Sequence, residues 1–158
     1  MDLSHWLWLA TAAYGVHALE EFMLDWRDWA RAVIGLPVEW ADFYVVNFLV
    51  IVLGIVAANL AGAAPWVALS FPALMLINAV FFHILPIMRM RGRFSPGAFT
   101  AVVLFLPIGV QCYRVAADAG VLNAGTVAGS LILGAALMAS PIVFLKLKGR
   151  DYFRQDRA

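Results

Sequence analysis

The sequence predicts an all-helical, polytopic membrane bundle, and three observations carry that expectation. Of its 158 residues 64% are hydrophobic and only 13% charged, with a mean hydropathy of +0.86. A soluble domain carries about a quarter charged residues and about half apolar ones. The apolar residues fall into five long runs, each close to the ~20 residues a helix needs to cross the hydrocarbon. Lys and Arg gather at alternate junctions between these runs, as in membrane proteins whose basic loops face the cytoplasm. With nearly the whole length consumed this way, residues 1–150 read as one transmembrane domain and 151–158 as a polar cytoplasmic tail. A net charge of +1 gives no footprint for nucleic acid, and the single Cys112 excludes an internal disulfide.

The first span covers Leu3 to Met23, with Trp6 and Trp8 as interfacial anchors. It has no basic segment ahead of it and reads as a retained span rather than a signal peptide. In 25–37, Trp26, Trp29, Ala30 and Val33 recur at helical spacing with Arg27, Asp28 and Arg31 between them. This is the pattern of a short interfacial helix, ended by Gly35 and Pro37. The second span runs from Asp42 to Leu60, and the uncharged turn Ala61–Pro65 leads to the third, Trp66 to Met88. Arg89, Arg91 and Arg93 follow, and Ser95-Pro96-Gly97 is a turn with Pro96 placed to open the fourth span, Ala98 to Ala117. At its far end Arg114 either snorkels to the headgroups or pairs with Asp118 four residues on. The fifth span, Gly125 to Leu145, carries small residues at Gly125/Gly129 and Ser130/Gly134. That spacing permits close helix packing, within the bundle or in a homo-oligomer through this last helix. The basic junctions put the N-terminus outside and the C-terminus in the cytoplasm.

Inside the first span stand His17, Glu20 and Glu21. Ionisable groups in a span are costly and mark function by default. At about 100° per residue, Glu20 lies about 60° to one side of His17 and Glu21 about 40° to the other. The predicted orientation brings His83 of span three, Asn78, Asn47 of span two and Thr100 of span four to the same inner layer. His17, Glu20, Glu21 and His83 form a candidate nitrogen–oxygen site for zinc, iron or manganese, with Asn47, Asn78 and Thr100 in support. Adjacent carboxylates repel in a low dielectric, and a cation would compensate them. The bland alternative is a structural clamp in which both glutamates pair with Arg27, Arg89 or Arg91.

The sequence His17-Ala18-Leu19-Glu20-Glu21, followed by Asn78-x-x-x-x-His83 and by Pro96-Gly97-x-x-Thr100, resembles the family of small bacterial membrane proteins named for its HXXEE motif. The resemblance covers roughly residues 14 to 107 and implies a bacterial inner-membrane location. It implies no reaction. The residues themselves leave three readings: a metal-dependent membrane enzyme acting on a lipid-soluble substrate, with His17, Glu20 and Glu21 catalytic; a metal-free acid–base isomerase or cyclase for an isoprenoid or sterol-like substrate; and a small cation- or proton-coupled transport or binding protein.

Overall fold

The computed structural model describes residues 1–153 and is helical, with no strand among them. Six helices follow in order: α1 (Leu3–Met23), α2 (Trp26–Val33), α3 (Trp40–Leu60), α4 (Pro65–Arg89), α5 (Ala98–Asp118) and α6 (Ala124–Lys148). A short 3-10 turn, Asp151–Phe153, ends the described chain, and residues 154–158 of the expected tail lie outside it. Four helices, α3 to α6, are long and apolar enough to cross a membrane, where the sequence suggested five. The helix that falls short is α1, which has the length but also carries His5, His17, Glu20 and Glu21.

Helix α1 starts at Asp2, whose carboxylate accepts from the His5 backbone N–H at 3.0 Å and from its ring Nδ1 at 2.7 Å. The backbone bond first, then the imidazole, holds the Asp2 carboxyl below its usual pKa. Helix α3 starts two residues ahead of the expected Asp42, because Asp42 caps it from within by accepting the Glu39 N–H at 3.1 Å. The amphipathic α2 is present as expected. Its Trp29 and Ala30 join Val38 in a small apolar cluster, against which Leu145 of α6 packs.

Helices α1 and α3 run antiparallel along their full length. Ser4 Oγ at the start of α1 bonds the Ala58 carbonyl at 2.9 Å, and at the other end Phe22 packs on Trp40 and Tyr44. Helix α4 is central, with 61% of its apolar stretch buried against 11% for α6. Helix α6 lies against α4 through the small-residue face: a Cβ on Gly134 would sit 2.7 Å from Ala73 Cβ and 2.9 Å from the Leu74 amide. Ser130 and Gly134 are thus engaged within the chain, as one of the two packing modes expected. The expected Arg114–Asp118 pair is absent among the described residues, whose ion pairs all involve other groups.

Two departures from regular helix bear on function. Residues Ala79–Ile84 in α4 and Ala101–Phe105 in α5 are π-helical, and each segment ends just before a Leu-Pro pair, at Pro86 and Pro107. Proline has no N–H for the carbonyl four residues back, so the local ladder shifts to wider bonds. These widened turns face each other beside His17.

Candidate functional site

The buried face of α1 runs Leu3, Leu7, Ala10, Tyr14, His17, Glu21, in steps of three and four. The periodicity that packs the helix therefore carries His17 and Glu21 into the bundle interior. From the π-segment of α4, His83 joins them. His17 and His83 are wholly buried and Glu21 is 5% exposed. Glu21 Oε1 lies 3.4 Å from His17 Nε2 and 3.5 Å from His83 Nε2. One ligand atom from each residue falls within 4.8 Å of the other two. The imidazoles meet edge to face at 4.9 Å, and Phe105 backs His17 with ring centroids 4.2 Å apart.

The far nitrogens of both rings are held by hydroxyls. His17 Nδ1 is 2.8 Å from Thr100 Oγ1, and His83 Nδ1 is 3.1 Å from Ser95 Oγ. The single Thr100 hydroxyl proton goes to Glu20 Oε2, at 2.6 Å. Ser95 Oγ donates to the Phe82 carbonyl at 3.4 Å, the carbonyl that Pro86 leaves without its α-helical donor. Each hydroxyl thus has another acceptor for its proton and is free to accept from the imidazole beside it, and on that ground we assign both ring protons to Nδ1. That assignment leaves two Nε2 lone pairs aimed at the Glu21 carboxylate. Both Nε2 atoms are buried without any hydrogen-bond partner. Buried polar atoms are nearly always paired, so two orphans together need an explanation.

Glu20 goes elsewhere. Its carboxylate accepts from the backbone N–H of Gly97 and of Phe99, each at 3.2 Å, and of Thr100 at 2.8 Å. With the Thr100 hydroxyl this makes four bonds at the N-terminus of α5, where the helix dipole also favours an anion. Glu20 and Glu21, expected to share one cluster, are thus separated: one seals the neighbouring helix while the other faces the histidines. Neither meets an arginine among the described residues. Arg27 pairs with Asp28 at 2.7 Å, Arg31 pairs with Glu39, and neither is within an ion pair of α1.

Asn47 donates its Nδ2 to Phe43 O at 2.9 Å, and Asn78 Nδ2 touches only Met138 Sδ at 4.0 Å. Neither contacts the histidines. Together with Tyr14, Trp26 and the open side of Glu21, they line a small cavity of about 80 Å³. Sequence reasoning placed Thr100 correctly in the layer but gave Ser95 and Gly97 only a turn. Gly97 has φ +90°, and a Cβ there would lie 2.7 Å from Cε1 of both His17 and His83 and 2.9 Å from Glu21 Cγ. Only a glycine backbone can close this wall. The Ser95-Pro96-Gly97-x-x-Thr100 string held that signal, because it brings two anchoring residues and the wall to one turn.

Fold and centre together define a class: a helical membrane protein with a His/Glu cluster buried between three of its helices. Residues 8–112, about two thirds of the chain, match the family described as a protein of unknown function with HXXEE motif, and the chain belongs to that family. His17-Ala18-Leu19-Glu20-Glu21 is its motif. No curated protein and no solved structure matches the chain.

Proposed function

We propose that His17, His83 and Glu21 hold one divalent metal ion in a membrane-embedded enzyme acting on a lipid-soluble substrate. The observation that carries this reading is the convergence of two buried, unpartnered Nε2 atoms on one carboxylate oxygen, which with both ring protons assigned to Nδ1 is repulsive without a cation between them. A shared proton is the competing cation. Charge-assisted hydrogen bonds, however, are about 2.7–2.9 Å long, and the contacts here are 3.4 and 3.5 Å. With metal–ligand bonds of about 2.0–2.2 Å, the edge of a tetrahedral site is roughly 3.4 Å. The spacing favours the metal over the metal-free acid–base reading.

Two imidazoles and a carboxylate leave positions for substrate or water, the ligand set of hydrolytic zinc sites and of non-haem iron sites, and manganese is also compatible. Bound there, the metal would supply Lewis acidity. The chain does the rest. Thr100 and Ser95 fix the tautomer and direction of the rings. Glu20 is a positioning residue, anchoring Thr100 and the start of α5, and Gly97 shields the centre from water. The cavity on the Glu21 side is the approach to the reacting position.

The same reading takes α1 as a fifth span, since it lies alongside α3 from end to end and turns His17 and Glu21 inward. The N-terminus is then outside and the C-terminus cytoplasmic, with the centre in the inner leaflet. The test is a metal titration of chelated protein in detergent. Zinc, manganese(II) or anaerobic iron(II) should raise the melting temperature of wild type, since binding only the folded state stabilises it, and leave His83→Ala unmoved. Equal shifts in both proteins would overturn the assignment.

A further inference from the structure

The small cavity beside Glu21 has a larger neighbour at the edge of the bundle. Helix α6 lies on α4, and between α6 and α3 the helices are parted by an apolar groove of about 610 Å³. Groove and cavity share Asp42, Val46, Pro141 and Leu145 in their walls, so they lie against each other with these side chains at the boundary. The groove volume is in the range of about 300–1,000 Å³ that takes small organic ligands. Its walls are Val45, Leu49 and Phe144 on the lipid side, and Lys148 closes one end in an ion pair with Asp42 at 2.9 Å.

The inner cavity has a different chemistry. Asn47 Oδ1, Asn78 Oδ1 and the Trp26 indole N–H are all buried there without partners. Asn78 is only 7% exposed, and the bond from Asn47 Nδ2 to Phe43 O turns its oxygen away from its own helix backbone. The two amide oxygens call for a donor and the indole for an acceptor. A hydroxyl is both. No lysine or arginine lines this cavity, so at the Asn47, Asn78 and Trp26 pocket an anionic head would be desolvated without a cationic side chain to pair it.

We infer that the α3–α6 groove admits the tail of a single-chain neutral lipid from the bilayer, and that its terminal hydroxyl is received by Asn47, Asn78 and Trp26 beside Glu21. This rests on the proposed metal-centre reading and adds to it the substrate class and its route. The geometry delivers a hydroxyl-bearing carbon to the open side of the centre while the chain stays in lipid.

The test uses the full chain in lipid nanodiscs and a long-chain primary alcohol with a photoreactive diazirine on its tail, mapped by mass spectrometry. Labelling should concentrate on the facing walls of α3 and α6. It should be lost in Val46→Trp, which plugs the passage, and weakened in Asn47→Ala and Asn78→Ala. Probes with the same tail but a carboxylate or phosphate head should fail to compete, and so should the headless hydrocarbon. Even labelling over all lipid-facing helices, or labelling that Val46→Trp leaves intact, would overturn the route. Competition by the hydrocarbon as strong as by the alcohol would overturn the hydroxyl pocket. Metal content is measured on the same samples: metal without localised labelling sinks this inference alone, and localised labelling without metal sinks the metal centre and leaves the chamber.

Discussion

The bundle has polar groups at two levels, and they are built on opposite principles. At the end where α4 and α6 begin, Tyr113 on α5 bonds Ser130 Oγ on α6 at 2.8 Å and the Leu69 carbonyl on α4 at 3.4 Å. Every polar atom of that staple has a partner. At the opposite end, His17 and His83 are wholly buried, yet each uses only one nitrogen within the protein and leaves the other pointing at Glu21. A polar residue in a span can tie helices together or stay available. The completeness of its bonding tells which. Glu20 and Glu21 repeat the contrast one residue apart, with four bonds on one carboxylate and two unpartnered nitrogens facing the other.

The sharpest way to break this comparison is to substitute the adjacent glutamates separately. Glu20→Gln should lose charge-assisted bonds worth about 1.5–3 kcal/mol each where they are not replaced, lowering the melting temperature of the metal-free protein markedly. Glu21→Gln should leave the metal-free protein as stable as wild type or more so, because it removes a repulsive buried charge. Thermal melts in detergent with chelator check both. Matching destabilisation in the two variants would mean that Glu21 is a structural bond as well.

Gly97→Ala comes next. The new Cβ must push both imidazoles aside while the backbone holds a positive φ, at a cost of roughly 1–3 kcal/mol or more. Metal affinity should fall with stability, as read by competition with a chelator. Thr100→Val and Ser95→Ala keep the fold but release ring orientation, and each should weaken metal binding by about 10–100-fold in the same assay. The smallest effect belongs to the Tyr113 staple: Tyr113→Phe should cost about 1 kcal/mol and leave metal binding untouched. A Tyr113→Phe variant with altered metal affinity would show that the two levels are coupled.

Much of the histidine level was legible in the chain. His17 and Glu21 share the buried stripe of α1 because apolar residues three and four apart already define that face, and spans that alternate in direction bring the end of α1 to the end of α4 that carries His83. The division of labour between the glutamates was not legible. The 100° between them decides which helix each one faces, and only the position of the α5 N-terminus turns Glu20 into its cap. The π-helical turns were hidden for a similar reason. Pro86 and Pro107 announce a disturbed ladder, but whether a helix kinks or widens depends on what packs against it, here the His17–Phe105 and His83–Ser95 contacts. The clamp with arginines was reasonable on charge alone, but Arg27 pairs with Asp28 and lies over the Trp40 ring instead, and no ion pair among the described residues joins Arg89 or Arg91 to either glutamate.

The central claim is that the unpartnered nitrogens belong to a metal. Elemental analysis of the full chain, purified without chelator and compared with Glu20→Gln and Glu21→Gln, tests it directly. The account predicts about one zinc, iron or manganese per chain in wild type and in Glu20→Gln at saturating metal, and none in Glu21→Gln. Folded wild type that carries no transition metal and takes none up when offered it would contradict the account.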